Sequence, residues 1–148
     1  MLSLSRKAEY AVAAMAHLAR QGSSLARARE IGAALNLPLP VLMNIMKSLN
    51  RYGLVRATRG PKGGYELVRG PAQITLAHMV EAVEGPVRLT RCCAQPDYAE
   101  ESACKLEPGC RVKGSLRKVH LELKEVLNGV TLAQIVADEM AVVAGDPG

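Results

Sequence analysis

Four cysteines are the side chains in this sequence with the most distinctive chemistry. They lie close together in the second half of the chain, at Cys92, Cys93, Cys104 and Cys110. Their spacing differs from the paired C-x₂-C pattern of structural zinc ribbons, so zinc is a minor interpretation. Clustered thiolates in a reducing compartment suit iron–sulfur chemistry, because soft sulfur ligands hold iron well. Thiols that bind no metal are the alternative, and the spacing alone leaves both interpretations open.

The basic side chains are unevenly distributed along the chain. Residues 1–70 carry eleven of the 19 Lys and Arg but only three of the 14 Asp and Glu, a net charge of +8, whereas the remainder carries −3. This uneven distribution indicates that the first half of the chain meets a polyanion. The chain has four Tyr and no Trp or Phe, so it has few rings on which the bases of a single strand could stack. Duplex DNA is therefore the expected partner.

The basic half contains the sequence pattern of a helix-turn-helix. A helix is predicted over residues 25–36, and a turn follows at 37–40, because the residue before each of its two prolines avoids the helical region. The next helix runs over 40–52, with proline in its first turn. We expect Gly32 to lie where the two helices cross closely. The apolar residues expected to face inward are Ile31, Leu35, Leu37, Leu42 and Ile45.

The second of these helices has a polar free face. An asparagine there can bond the edge of adenine, while lysine and arginine can read guanine or hold phosphates. A solvated helix face is the alternative interpretation for each residue. The candidate DNA-binding residues of this helix are Asn44, Lys47, Ser48 and Arg51.

Residues 54–68 change from helical to strand periodicity. Two short β-prone runs, 54–58 and 65–68, flank a basic and glycine-rich segment at 59–64, which predicts a hairpin. Because glycines let the backbone approach a duplex and a narrow minor groove attracts arginine, this hairpin is typical of a DNA-binding wing. The segment lacks the G-x-x-x-x-G-K-[ST] order of a nucleotide phosphate loop. The candidate DNA-binding residues of the wing are Arg59, Lys62, Gly63 and Tyr65.

The predicted fold is mainly α-helical with a small β-hairpin wing. A first helix, over 4–20, precedes the helix-turn-helix. The chain divides into a winged helix-turn-helix domain at 1–70, a connecting helix within 71–89, a cysteine loop at 90–110, a long dimerisation helix and a C-terminal helix within 111–142, and a flexible tail at 143–148.

The long helix, predicted from Cys110 to about Asn128, carries an apolar seam. Its members are separated by steps of four and three residues, a heptad spacing that suits pairing with a symmetry-related copy. The seam is short, so packing within the chain is the alternative. A homodimer would present two recognition helices to a palindromic duplex, about one helical turn apart. The seam consists of Val112, Leu116, Val119, Leu123 and Val126.

Several short motifs are distributed over residues 1–140. They are Leu4-Ser5, Tyr10-Ala11-Val12, Leu54-Val55, the wing Arg59-Gly60-Pro61-Lys62-Gly63-Gly64-Tyr65, and Val130-Thr131-Leu132. Together they resemble the IscR/NsrR-type family of bacterial winged-helix transcription regulators. The resemblance implies a homodimeric repressor or activator whose cysteine loop often carries an iron–sulfur cluster, either [2Fe–2S] or [4Fe–4S]. The apolar start of the recognition helix, at 41–43, departs from relatives that often have polar or aromatic residues there.

The same resemblance implies three cysteine ligands for a cluster. Cys104 and Cys110 match the second and third cluster cysteines of the family. Cys92 matches the first, and its neighbour Cys93 is the alternative. Eleven residues separate Cys92 from Cys104, where many relatives have five, so the loop carries an insertion.

The resemblance also points to a fourth ligand. Some relatives use a histidine three residues after the last cysteine, and Lys113 stands at that position. Others, including nitric-oxide sensors, use an acid near the N-terminus, which makes Glu9 the candidate here. A surface carboxylate is the alternative for Glu9. The three histidines, His17, His78 and His120, lie on predicted helices without ligand spacing.

These patterns predict a homodimeric, sequence-specific transcriptional regulator whose affinity for DNA is switched by an iron–sulfur cluster that senses cluster supply, redox state or nitric oxide. The alternative is a cluster-free regulator of the same fold that responds to thiol oxidation or a small molecule. No paired acid and base or nucleophile constellation favours an enzyme. The sequence contains neither a long apolar stretch nor a secretory leader, so we expect a cytoplasmic protein that does not bind membranes.

Overall fold

A computed structural model describes residues 2–93, Cys104 and residues 109–145. Within this part of the chain lie six α-helices, one two-stranded antiparallel sheet and two short 3₁₀ turns. In chain order the helices and strands are α1 (Arg6–Gln21), α2 (Ala28–Leu35), α3 (Leu39–Tyr52), β1 (Val55–Thr58), β2 (Gly64–Leu67), α4 (Leu76–Glu84), α5 (Lys113–Gly129) and α6 (Leu132–Gly145). The 3₁₀ turns are Pro71–Gln73 and Arg91–Cys93. The mainly helical fold with a β-hairpin is confirmed.

Helix α1 is the centre of the core. Ser5 caps it, because the Ser5 hydroxyl accepts a hydrogen bond from the Ala8 N–H at 3.1 Å, and Gly22 ends it. Its buried face consists mostly of alanine, which lets neighbouring helices approach closely, with Met15 and Leu18 filling the remaining space. Helices α3, α4 and α6 all pack against it. One helix therefore joins the basic half of the chain to the segment that follows it.

Helices α2 and α3 form the helix-turn-helix. Ile31, Leu42 and Ile45 are fully buried between them, while Leu35 and Leu37 are half-buried against the same core, as predicted. A Cβ atom added at Gly32 would lie 3.2 Å from the Leu37 carbonyl oxygen of the turn and 3.6 Å from the Leu42 side chain of α3, so the tight approach at Gly32 is to the turn and the contact with α3 is an ordinary one. The turn is made by Asn36, which adopts a left-handed conformation with φ of 52°.

The wing pairs β1 with β2 in antiparallel register, with Val55 opposite Leu67 and Thr58 opposite Gly64. An isolated bridge adds Ala26 beside Tyr65 as a short third partner. This bridge requires extended backbone at Ala26, so α2 begins at Ala28 rather than at residue 25, and the prediction of that helix start was wrong. At the start of α2 the Glu30 carboxylate accepts a hydrogen bond from the Arg27 N–H at 3.1 Å.

The last two helices differ at their ends from the sequence prediction. Helix α5 begins at Lys113 instead of Cys110, because residues 111–112 form a turn and the first helical hydrogen bond runs from the Leu116 N–H to the Val112 carbonyl at 3.0 Å. Helix α6 continues to Gly145, since positions 143 and 144 are valine and alanine and neither residue ends a helix. Positions 143–145 are thus helical, and the rest of the expected tail, 146–148, lies outside the described residues.

A crossing of chain segments ties the second half to the first. The Leu76 N–H donates to the Val130 carbonyl and the Leu132 N–H donates to the Ile74 carbonyl, each at 2.8 Å. Leu132 is fully buried in the common core. None of the helices that the structure describes has the length and hydrophobicity needed to cross a bilayer.

Candidate functional site

The two faces of α3 have opposite character. Leu42, Ile45, Met46 and Leu49 are buried in the core. On the other face Asn44, Lys47 and Arg51 are exposed, and Ser48 is half-buried with its hydroxyl donating to the Asn44 carbonyl at 3.2 Å. The burial of one side of α3 therefore leaves the predicted reading face open. Val41 and Met43 are also partly exposed at the start of this helix.

A basic groove of about 600 Å³ lies between this face and the start of α1. Three of its cations, Arg6, Lys47 and Arg51, belong to helices on opposite walls of the groove. The fourth, Lys7, donates to the Val83 carbonyl at 3.0 Å and so ties α1 to α4. We call this the α1–α3 groove. Its lining residues are Arg6, Lys7, Tyr10, Val41, Asn44, Ile45, Lys47, Ser48 and Arg51.

The tip of the wing exposes both of its predicted cations, Arg59 and Lys62. Gly63 is needed for the shape of the hairpin and not for close approach to DNA, because a Cβ atom there would lie 2.1 Å from the Thr58 carbonyl oxygen. The hairpin can close only with glycine at that position. Tyr65 is half-buried, and its hydroxyl lies 3.8 Å from the Met43 sulfur, a contact between the wing and the recognition helix.

A second groove, of about 720 Å³, lies between the wing and α2. Its charged side chains are Arg27, Arg29 and Arg59, and none of the described residues that line it is acidic. Sequence patterns did not single out Arg27 and Arg29 of this groove, nor Arg6 of the α1–α3 groove. They contribute to the net charge of residues 1–70, but no local spacing distinguishes them from other surface arginines. Folding places them on both sides of α3.

The cysteines occupy the segment between α4 and α5. Cys92 and Cys93 lie in the second 3₁₀ turn, where the Thr90 hydroxyl is 3.0 Å from the Cys92 sulfur and 3.3 Å from the Cys93 sulfur. Cys104 and Cys110 are described as well, and all four are unpaired thiols that are half-buried. The predicted loop residues 94–103 and 105–108 lie outside the described residues.

The predicted cluster ligands do not converge within the described part of a single chain. No group of three or more Cys, His, Asp or Glu side chains there is arranged to hold a metal ion. Glu9 is exposed on α1. The described donor side chains therefore do not form a common site.

His120 connects α5 to the segment that leads into the cysteines. Its ring is buried, and its Nδ1 accepts a hydrogen bond from the Leu89 N–H at 3.4 Å. Burial lowers the pKa of His120, and the nearby Lys124 ammonium lowers that pKa further. In the neutral ring, Nδ1 remains free of a proton and can accept the hydrogen bond from the Leu89 N–H.

Tyr52 connects the recognition helix to α4. Its hydroxyl donates to the Glu81 carboxylate at 3.2 Å. Burial raises the pKa of Tyr52, and the charge of Glu81 raises that pKa further, so the phenol remains protonated and keeps its donor at neutral pH. Helix α4 also packs against α5. A continuous series of contacts therefore joins α3, α4, α5 and the first cysteine turn.

A helix-turn-helix with an open polar face, followed by a hairpin with cations at its tip, defines a winged-helix DNA-binding protein. The family model of iron-dependent transcriptional regulators, Rrf2, matches residues 4–138. The chain therefore belongs to the Rrf2 family of transcriptional regulators.

Individual proteins show the same relationship. The protein aau3 of Rhizobium meliloti (strain 1021) is 33% identical over 135 residues, which cover 91% of this chain and 85% of that protein. The structure of IscR from T. potens superposes with a TM-score of 0.70 at 28% identity, covering 93% of this chain and 88% of the other. CymR, the global cysteine regulator of B. subtilis, superposes with a TM-score of 0.68 at 27% identity, covering 93% and 98%.

These comparisons confirm the resemblance to IscR-type regulators and the winged-helix fold. They also confirm that the chain is a regulator and not an enzyme, because the family and its solved members are transcriptional regulators.

Proposed function

We propose that this Rrf2-family regulator acts as a homodimer on a palindromic operator and that an iron–sulfur cluster bound by its cysteines sets its affinity for that DNA. The observation that carries the proposal is a set of four unpaired, half-buried thiols, of which Cys92 and Cys93 lie in a turn that contacts α5 and Cys110 lies three residues before that helix begins. The family description as iron-dependent regulators supports the same conclusion.

The exposure of α5 supports the homodimer. This helix has 17 residues, and His120 is the one that is buried. Val112, Val119 and Val126 of the seam are 57%, 49% and 63% exposed, while Leu116 and Leu123 are half-buried. An apolar stripe of this length on a single helix favours association with another apolar surface. The heptad spacing of the stripe makes a second copy of the same helix the proposed partner.

Each protomer would contact DNA through α3 and the wing. The exposed face of α3, with Asn44, Lys47, Ser48 and Arg51, would enter the major groove, where such side chains distinguish base pairs. The wing would bring Arg59 and Lys62 to the adjacent minor groove. The two basic grooves flank α3, so Arg6 on one side and Arg29 on the other would face the phosphate backbone beside the reading helix.

The donor chemistry of the cysteine segment fits an iron–sulfur cluster. Cys104 and Cys110, together with Cys92 or its neighbour Cys93, would supply soft thiolate ligands, and none of these thiols is used in a disulfide. Glu9 is the proposed fourth ligand, and its exposure on α1 leaves it accessible to a partner chain. When bound, the cluster would supply a centre that gains and loses electrons and reacts with nitric oxide.

The chain's own residues provide a route between the cysteines and α3. The His120 ring holds the Leu89 N–H, three residues before Cys92, against α5. Helix α5 packs on α4, and α4 reaches the recognition helix through Glu81 and Tyr52. A movement of the cysteine segment would be transmitted along these contacts to α3 in each protomer. Affinity would change only by the difference in stability of the two dimer arrangements.

The test is an anaerobic purification followed by a visible spectrum and assays of iron and acid-labile sulfide. DNA binding of the apo and loaded forms is then compared on one duplex, selected by the protein from a random library, at a single salt concentration. We expect different affinities, and we expect Cys104→Ala to remove both the iron and the difference. Equal affinities of the two forms would disprove the switch. Comparing Cys92→Ala with Cys93→Ala identifies which of the adjacent thiols is a ligand.

A second candidate function is a cluster-free regulator that senses a thiol change or a small molecule. The similarity to CymR, a cysteine regulator with the same fold, favours it. This function predicts a colourless, iron-free protein whose DNA binding responds to thiol oxidants or to a small molecule. Iron bound in proportion to the protein, and absent from Cys104→Ala, would exclude it.

A further inference from the structure

The wing is too small to hold its own orientation. Its two strands have four residues each, and the tip between them spans residues 59–63. A two-stranded hairpin is marginally stable in water when nothing else supports it. The direction of the tip therefore depends on contacts with the rest of the chain. Two such contacts come from consecutive residues, Ala26 and Arg27, just before α2.

The first contact fixes the base of the wing. The Ala26 N–H donates to the Tyr65 carbonyl at 3.0 Å, and the Tyr65 N–H donates to the Ala26 carbonyl at 2.8 Å. The backbones approach so closely that a Cβ atom at Gly64 would lie 2.7 Å from the Ala26 carbonyl oxygen. This bridge holds the start of β2, but it does not reach the tip.

The second contact reaches the tip. The Arg27 guanidinium donates through Nη2 to the Pro61 carbonyl at 2.7 Å. Pro61 lies between Arg59 and Lys62, the two cations of the wing. The backbone of Arg27 is itself fixed, because its N–H is bound by the Glu30 carboxylate at the cap of α2. A charged donor held in this way makes a stronger hydrogen bond than a neutral one.

We propose that Arg27 is a positioning residue of the DNA-binding wing. Its guanidinium holds the tip at the angle at which Arg59 meets the duplex, and it does not itself contact DNA. This inference rests on the proposed operator binding and adds to it a residue outside the reading helix and the hairpin. Without the brace the tip must be ordered when DNA binds, so Arg27→Ala is expected to weaken binding roughly 10-fold.

The brace itself is tested on the free protein by NMR measurement of amide exchange. The Gly63 amide, which donates to the Gly60 carbonyl at 2.9 Å, reports on the tip, and the Tyr65 amide reports on the base. We expect Arg27→Ala to speed exchange at Gly63 and to leave Tyr65 nearly unchanged. Arg29→Ala, which removes the same charge from the same groove, is the matched control and should change neither. Unchanged exchange at Gly63 in Arg27→Ala would overturn the proposal.

The role in binding is tested with Arg27→Ala, Arg59→Ala and the double variant on the duplex selected by the wild-type protein. If Arg27 acts through Arg59, the double variant loses little more affinity than Arg59→Ala alone, and Arg27→Ala keeps the wild-type salt dependence. Additive losses with a shallower salt dependence would mean that Arg27 binds phosphate itself, and the proposal would be wrong. If the wild-type chain selects no duplex, the proposed operator binding fails, while exchange at Gly63 still decides whether Arg27 braces the wing.

Discussion

Two glycines of the DNA-binding half lie close to backbone atoms, one within α2 and one at the tip of the wing. At Gly32 the neighbour is the Leu37 carbonyl oxygen, and an added Cβ atom at 3.2 Å would need a small shift of the turn that follows α2. At Gly63 the neighbouring atom is backbone in the same hairpin, and an added Cβ atom would lie 2.1 Å from it. Neither strand can move away without breaking the pairing of β1 with β2. The geometry of the wing therefore depends more strictly on Gly63 than on any charged residue at its tip.

Gly63→Ala should distort the hairpin and destabilise the fold by about 1–3 kcal/mol, the usual cost of forcing an atom into occupied space. Gly70→Ala is the matched control, because no atom lies within 4 Å of the added Cβ there. Urea unfolding followed by circular dichroism measures both variants. Equal stability of Gly63→Ala and Gly70→Ala would contradict the steric account. A loss of DNA affinity confined to Gly63→Ala would show that the same distortion disables the wing.

The buried ring of His120 predicts a dependence of stability on pH. Its pKa in the folded chain lies below 6.5, so the unfolded chain binds a proton first as the pH falls. The free energy of unfolding should therefore decrease as the pH drops below about 6.5, the ordinary histidine pKa. His120→Asn keeps an acceptor for the Leu89 N–H but does not titrate, so its stability should depend less on pH over that range. Chemical unfolding at a fixed protein concentration measures both proteins, and parallel pH profiles would contradict the assignment.

Only part of the surface of α5 is covered by the rest of the chain. It contacts α4 and the turn that contains Cys92 and Cys93, but Val119 and Val126 of its apolar seam are exposed. A helix that is not covered on its apolar side gains most of its stability from a partner. This makes the oligomeric state of the protein a property of one element.

Val119→Glu should convert the dimer to a monomer, because it places a charge in the middle of the seam. Leu121→Glu is the control, since Leu121 is 53% exposed, close to the 49% of Val119, but lies off the seam. Sedimentation velocity at matched concentrations measures the result. If both variants dimerise like the wild type, the seam is not the interface. If both become monomeric, exposure rather than position on the helix governs association.

Periodicity and capping residues predict several elements closely, and the start of α2 is missed because a long-range contact determines it. Helix α3 is predicted to within one residue, because local apolar spacing and Gly53 determine its ends, and α4 lies within its predicted range of 71–89. The start of α2 is different, since a bridge to Tyr65, far away in the sequence, holds Ala26 extended. The interaction of Arg27 with Pro61 is equally non-local. Sequence patterns indicate the exposed face of α3, but they cannot show which arginines from distant parts of the sequence line the grooves beside it.

The basic first half and the acidic second half of the chain pack around one common core. The basic residues of the two grooves lie around α3 and the wing, whereas Arg20 pairs with Glu139 of α6. The acidic remainder of the chain contains the cysteines and α5. Helix α1 contacts elements of both parts, and its N-terminal end lines the α1–α3 groove while Lys7 holds the end of α4. Helix α1 therefore packs the elements next to the cysteines and the DNA-binding elements around one core, as the proposed switch requires.

This division predicts that the location of a charge, and not the net charge, sets the salt dependence of DNA binding. Arg6→Gln removes a cation from the α1–α3 groove, and Lys118→Gln removes one from the exposed surface of α5, so both variants have the same net charge. Removal of one cation that binds a phosphate should reduce the slope of log affinity against log salt by about 0.9, or roughly 1.8 for the two protomers of a dimer. We expect that reduction for Arg6→Gln and an unchanged slope for Lys118→Gln, measured by fluorescence anisotropy at several salt concentrations. Equally reduced slopes would mean that the duplex responds to overall charge. An unchanged slope for Arg6→Gln would mean that this side chain of the α1–α3 groove does not bind the phosphate backbone.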